Sequence, residues 1–232
     1  MNKNMSVEGS MGWYDPWFLC HPHPFAIIHD LLKVEETMRY HDPKYYASLH
    51  WSRIFEYPWV YTMLNLKKDD VVLDLGGGWG PFQFLLAQEC KWVYNFDMDA
   101  GVIPFLDVGK RVLGIDNVTL TLGNAENGLP YEDNYFDKVA FISVLEHMNP
   151  PYQRYMDDII RVTKVGGIIS CTFDVFVNPH EREEVSMATA KTLCDYLGIQ
   201  WVDVPPSTPY GANESTKPFT VITINLVKVK SV

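Results

Sequence analysis

The stretch Val71-Val72-Leu73-Asp74-Leu75-Gly76-Gly77-Gly78-Trp79-Gly80-Pro81-Phe82 constrains this chain more than any other. A run of β-branched residues and leucine with no polar break until Asp74 reads as a strand buried on both faces, as in the interior of a parallel sheet. Glycines then stand at 76, 77, 78 and 80. Lacking a Cβ, they let the backbone turn tightly and approach a ligand, and Pro81 and Phe82 open a helix whose first N–H groups point back at the turn. The expected unit is a strand, a ligand-receiving turn and a helix.

The spacing selects among ligands. A dinucleotide fingerprint G-x-G-x-x-G counted from Gly76 or Gly77 needs glycine where Pro81 or Phe82 stands, which argues against NAD and FAD. Asp74, Gly76, Gly78 and Gly80 instead fit D-x-G-x-G-x-G, which resembles motif I of the class I S-adenosylmethionine (SAM)-dependent methyltransferases. Further along, Leu129-Pro130-Tyr131-Glu132-Asp133-Asn134-Tyr135-Phe136-Asp137-Lys138-Val139 followed by Val144-Leu145-Glu146-His147 is similar to the "LPFPDNSFDVV…VLEH" stretch of a small-molecule branch of that family. Arg161-Val162-Thr163-Lys164-Val165-Gly166-Gly167 resembles its "R-V-L-K-P-G-G" lead into strand five, with Val165 in place of the proline. The likeness runs from about residue 70 to 173. It implies an α/β fold: a single doubly wound Rossmann-like sheet of about seven mostly parallel strands, the last strand antiparallel and inserted between the fifth and sixth, with an N-terminal helical lid. Residues 1–64 are expected to form the lid and residues 65–232 the SAM-binding part of the same domain.

Residue roles follow in two ways. Strand two, residues 92–96, ends in Asp97, an acidic residue about twenty positions after the glycines and so placed to accept both hydroxyls of a ribose. His147 follows strand four at the carboxyl edge of the sheet, where open α/β folds bind ligands, and is the candidate general base; the competing reading is a histidine that only bonds a loop. The resemblance adds Asn124 and Ala125 at the adenine, Asn124 standing where the family has an acidic residue, and Met98 and Ser143 among the cofactor contacts. It also suggests Arg53 for the SAM carboxylate, against the alternative of an Arg53–Glu56 surface pair one helical turn apart. His21-Pro22-His23 lacks a third ligand at recognisable spacing, so no metal is expected.

Composition bounds the rest. In 232 residues, 47% are hydrophobic and 21% charged, without an apolar run long enough to span a bilayer. Residues 1–10 are polar, with no secretory signal, and are expected to be a mobile tail. Cys20, Cys90, Cys171 and Cys194 form no C-x-x-C pair, which suits a reducing cytoplasm. A net charge of −10 argues against nucleic acid. Residues 11–61 hold thirteen aromatic residues, read as a helix over 24–40 with Phe25, Ile28, Leu32 and Met38 inward and a second opened by Asp42 and Pro43 and interrupted by Pro58. After residue 173, a helix over 181–197, strands over 200–204 and 219–229 and a loop over 205–218 at a substrate mouth are expected.

The function these readings imply is SAM-dependent transfer of a methyl group to a small molecule enclosed by the aromatic segment, with a hydroxyl acceptor (O-methylation) favoured by His147. The alternatives are N-methylation of a small amine, a non-catalytic SAM-binding adaptor, and a different use of the fold as an aminopropyl transferase or nicotinamide oxidoreductase. A small-molecule substrate and, as an option, a homodimer partner are expected; nucleic acid and membrane are not. The acceptor's identity and the pathway are not legible in the chain.

Overall fold

A computed structural model describes residues 5–15, 18, 21–42, 52–176, 185–203, 211–212 and 218–230. Strands β1 (Met5–Trp13), β2 (Val71–Leu75), β3 (Trp92–Asp97), β4 (Val118–Leu122), β5 (Phe136–Ile142), β6 (Thr163–Phe176), β7 (Gly211–Ala212) and β8 (Pro218–Lys230) alternate with helices α1 (Pro22–His41), α2 (Arg53–Leu64), α3 (Phe82–Glu89), α4 (Val102–Leu113), α5 (Gln153–Val162) and α6 (Met187–Leu197). The sheet order is β1-β8-β6-β5-β2-β3-β4, with the two-residue β7 paired to β8. β2 to β6 pair in parallel, and β8 is antiparallel to both β6 and β1. Six strands of the seven therefore run one way and β8 alone runs back, the Rossmann-like sheet expected.

The central strands read as continuous apolar runs because both faces are covered. In β5, Val139 and Phe141 face one hydrophobic cluster, with residues of α5 and α6, while Ala140 and Ile142 face the other, with residues of α1, α3 and α4. Helix ends follow local chemistry. Gly114 and Gly198 close α4 and α6 in the left-handed conformation, and the Ser186 hydroxyl caps α6 by accepting from Thr189 N at 3.1 Å.

Four expectations are corrected. Residues 5–10 are no tail: they belong to β1, whose Met11 and Trp13 are buried opposite Ile224 and Ile222. The Trp13 indole donates to Val202 O at 2.9 Å and meets Trp201 edge-on at 5.5 Å. Residues 200–203 are then not a strand, because the position beside β8 is filled by β1; Val204 lies outside the described residues. In α1 the buried stripe is Pro24, Ile27, Leu31, Val34 and Met38, leaving Phe25 and Leu32 exposed. Two adjacent stripes of α1 have helical spacing, and packing against α2, α3 and α4 selects one. Pro58 does not interrupt α2; buried Phe55, Tyr57, Val60 and Leu64 hold the helix through it, offsetting the lost backbone hydrogen bond. The expected start of α2 at Pro43, the loop over 205–210 and 213–217, and residues 181–184 lie outside the described residues, and α6 itself begins at Met187.

If β1 completes the sheet, Trp13→Ala should lower the unfolding free energy by about 3–5 kcal/mol in urea denaturation, as for other buried aromatic truncations. A loss below about 1 kcal/mol, the range of ordinary surface positions, would mean that β1 is dispensable.

Candidate functional site

The glycine turn has the geometry that its sequence demands. Gly76 and Gly78 take φ of +71° and +50°, values that side chains disfavour. Gly76 N donates to Phe96 O at 2.8 Å, and Gly78 N to Asp97 Oδ2 at 3.0 Å, so the turn is pinned to the end of β3. From behind, buried Gln83 donates from Nε2 to the carbonyls of Gly78 and Gly80, both at 3.1 Å, and its Oε1 accepts from Asn95 Nδ2 at 2.9 Å. A Cβ on Gly77 would lie 2.5 Å from Asp74 Oδ2, and one on Gly80 2.5 Å from the Tyr57 hydroxyl. Gly78 meets nothing closer than Asp97 Oδ2 at 3.7 Å, so its outer side is open to a ligand.

A cavity of about 400 Å³ opens at the carboxyl ends of β2, β3, β4 and β5, lined by Leu75, Gly76, Phe96, Asp97, Met98, Gly123, Asn124, Ala125, Glu126, Ser143, Val144, His147, Met148 and Asn149. Seven of the residues singled out in the sequence thus share one wall: Gly76, Asp97, Met98, Asn124, Ala125, Ser143 and His147. Asp97 is oriented by Gly78 N and by Asp99 N, which donates to its Oδ1 at 2.9 Å, while the Trp79 indole donates to Asp99 at 2.9 Å. Asn124 caps its turn: Oδ1 accepts from Glu126 N at 2.8 Å. The Glu126 carboxylate in turn accepts from Asn149 N and Nδ2 at 2.7 and 2.9 Å. Asp74, Gly78, Gly80 and Arg53 are not among the residues that line the cavity. Among the described residues, no side chain from 11–61 lines the cavity, so the expected aromatic roof is not part of this wall.

Arg53 does not form the surface pair of the alternative reading. It does pair with Glu56, but the pair is internal: Glu56 has no solvent exposure, and Arg53 Nη1 also donates to Ser143 Oγ. Glu56 Oε1 accepts from the hydroxyls of Ser143 and Thr172, both at 2.6 Å. Burial alone would raise the Glu56 pKa; the Arg53 guanidinium and the hydroxyl donors of Ser143, Thr172 and Ser52 outweigh it and hold the carboxyl below its ordinary range. Ser143 is held at φ +48° at the carboxyl end of β5, where the network reaches the cavity.

The other titratable groups lean toward neutrality. Burial, with the nearby Asp97 charge, pushes Asp74 up to about 7, and its Oδ2 has no hydrogen-bond partner among the described residues. Burial drives the Tyr57 hydroxyl up to about 12. His147 stands at the cavity's exposed rim, and partial desolvation followed by the Arg53 charge lowers its pKa, leaving a neutral imidazole at pH 7. His21 and His23 are exposed at the start of α1, and no group of three metal-ligating side chains occurs among the described residues.

Sequence reading missed the supports Tyr57, Gln83, Asn95 and Thr172, and took Glu56 only as a surface partner of Arg53. The visible signal was polarity out of place. Asn95 interrupts an apolar strand and Glu56 sits between Phe55 and Tyr57, and a polar residue in a buried run needs a partner.

Residues 66–216 match the family described as "Methyltransferase domain". Among curated proteins, the chain is 33% identical over 116 residues to a demethylmenaquinone methyltransferase of Geobacillus stearothermophilus, covering 48% of each chain. It is 34% identical over 105 residues to protein-L-isoaspartate O-methyltransferase 1 of Nitrosospira multiformis, covering 45% of this chain and 41% of that one. The chain thus spans about half the length of the first curated relatives it matches. The structure of a SAM-dependent methyltransferase from Aquifex aeolicus superposes with a TM-score of 0.55 at 16% identity, covering 86% of this chain and 98% of that one, a likeness of fold.

The internal character of the Arg53–Glu56 pair has a measurable consequence. Arg53→Met should cost about 3–5 kcal/mol of unfolding free energy, because it strands a buried carboxylate, and adding Glu56→Gln should recover part of that loss. A single-variant cost below about 1 kcal/mol in denaturant titration would mark the pair as one of the weak, solvated kind.

Proposed function

The chain belongs to the methyltransferase-domain family, and from that membership and the cavity we propose that it binds SAM and transfers the methyl group to the hydroxyl of a small molecule. The observation that carries the reading is the convergence of Gly76, Asp97, Asn124, Ala125, Ser143 and His147 on one cavity at the carboxyl ends of the parallel strands. The residues suit this cofactor. Asp97 offers a carboxylate to ribose hydroxyls, Asn124 and Ala125 a polar edge to adenine, and the open side of Gly78 a close backbone approach. Asp74 Oδ2 and Arg53 supply an unpartnered acceptor and a cation near the turn for the amino-acid end.

SAM supplies an electrophilic methyl group on a sulfonium and leaves as an uncharged thioether. The chain's part is then to hold the acceptor in line and exclude water, which by proximity can supply on the order of 7–11 kcal/mol. His147, neutral at pH 7, takes the hydroxyl proton as the oxygen's electron pair forms the new O–C bond. Of residues 1–64, the part after β1 acts in this reading as the lid, anchored through α2 and enclosing a small acceptor with aromatic side chains such as Tyr14 and Phe18, which meet Phe55 edge-on at 4.6 and 5.9 Å. Because β1 is part of the sheet, the lid is tested by substituting these side chains rather than by truncation. A small molecule suits the acidic balance of the chain, and no described helix is long and apolar enough to cross a membrane.

Asp97→Ala should weaken SAM binding at least tenfold in a calorimetric titration, since each charge-assisted ribose bond is worth about 1.5–3 kcal/mol. Affinity equal to the parent's would remove Asp97 from the site.

A transfer screen over phenols, alcohols, carboxylates and amines, read as S-adenosylhomocysteine formed, tests the acceptor. With a hydroxyl acceptor, His147→Ala should lower kcat by ~10²–10⁴-fold. The parent's rate should rise with pH through a midpoint below the ordinary imidazole value of 6.5 and stay flat above neutrality, because only the uncharged ring accepts a proton and its pKa is lowered. Transfer confined to amines, with His147 dispensable, would replace this reading by N-methylation.

A further inference from the structure

Behind the part of the wall formed by Ser143, Val144 and His147 lies a group of charges that the transfer step does not use. Glu56 from α2 is satisfied by Arg53, Ser143 and Thr172. Glu146, on the turn after β5, and Asp174, near the end of β6, are not. The Glu146 carboxyl accepts from its own backbone N–H and, over a long 3.3 Å, from Asp174 N to Oε1, and Glu146 Oε2 and Asp174 Oδ1 are both buried with no hydrogen-bond partner among the described residues. Glu146 is 5% exposed, between cavity-lining Val144 and His147. Three carboxyls thus share one guanidinium. Tyr152 and Cys171, which also feel Glu146, are driven toward their neutral forms by burial, and His147 is neutral at pH 7, so none of them adds a cation.

Two like charges at such depth repel strongly, because a partly screened interior weakens their repulsion far less than water does. Burial first, and neighbouring carboxylates second, raise both groups: Asp174 to about 7 and Glu146 well above its ordinary range. With the cavity holding no cation, the pair therefore keeps a proton. A positive charge entering the cavity removes the reason to keep it.

We infer that the Glu146–Asp174 carboxyl pair makes this cavity select a positively charged methyl donor over the uncharged thioether that remains after transfer. The inference rests on the SAM reading above. As the sulfonium binds, the O–H bond of the protonated carboxyl breaks, its electrons stay on the oxygen and the proton passes to bulk water. Once the methyl group has moved, the cation is gone, the pair takes a proton back, and the product is held less tightly. Glu146 and Asp174 act here as specificity residues for the charge state of the ligand.

Calorimetric titration of the full chain near pH 7, in two buffers of different ionisation enthalpy, tests this with SAM, S-adenosylhomocysteine and the ammonium analogue sinefungin. SAM and sinefungin should bind roughly tenfold or more tighter than the thioether, the equivalent of one pKa unit of linkage, and should release a measurable fraction of a proton where the thioether releases none. Glu146→Gln and Asp174→Asn combined in one variant, each close to isosteric, should bring the affinity ratio toward one and abolish the proton release while leaving thioether affinity unchanged. That last value reports an intact cavity. Equal affinities without proton release, or a ratio and release unchanged in the double variant, would overturn the inference alone. Failure of all three ligands to bind the parent would overturn the SAM reading with it.

Discussion

The Arg53–Glu56 ion pair is the interaction on which the site's arrangement depends. Its carboxylate is fully buried, so it needs partners from every side, and it takes them from α2 itself, from Ser143 at the end of β5 and from Thr172 in β6. One side chain thereby ties the helix preceding the first parallel strand to two strands far along the chain. A buried pair of this kind contributes little net stability against an apolar replacement, but breaking it strands a charge. It specifies one position for α2 more than it deepens the free-energy well, and with α2 it sets Tyr57 against Gly80 and Arg53 against Ser143.

The same logic of obligatory partners organises the glycine turn. Gln83 spends both ends of its amide on Gly78, Gly80 and Asn95, and Asp97 holds Gly78 while facing the cavity. Where partners run out, at Asp74, Glu146 and Asp174, burial shifts the carboxyls toward their protonated forms instead. The interior next to the cavity therefore contains satisfied charges and suppressed ones, and the suppressed ones respond to a ligand's charge.

The sheet shows how far local sequence carries. From β2 to β5 each strand lies within a residue or two of its apolar run, because packed strands leave a continuous apolar signal, and Gly76 after β2 and Asn117 and Gly123 around β4 mark their ends. β1 escaped notice because Met5-Ser6-Val7-Glu8-Gly9-Ser10 is polar and weakly alternating, as suits a strand at a sheet edge, and only pairing with β8 makes it a strand. In α1, apolar residues occupy two neighbouring helical stripes, and nothing local distinguishes them.

Taken by itself, the amino-acid sequence determined the alternation of strand and helix from residue 71 to 173 and the glycine turn, and it made Asp97 at a strand tip and His147 at the sheet's carboxyl edge readable one at a time, whereas Asn124 and Ala125 were picked out by the family resemblance. Backbone conformation and apolar periodicity are short-range properties, so they are written locally. Only the tertiary structure decided that Arg53 and Glu56 meet Ser143 and Thr172, that Glu146 and Asp174 lie together, each with an unpartnered oxygen among the described residues, and that the strand beside β8 comes from the start of the chain. Partners of the buried Glu56 charge are chosen by proximity in space across 87 and 116 residues, and the cost of leaving one unpaired is set by a depth of burial that exists only once the chain has folded.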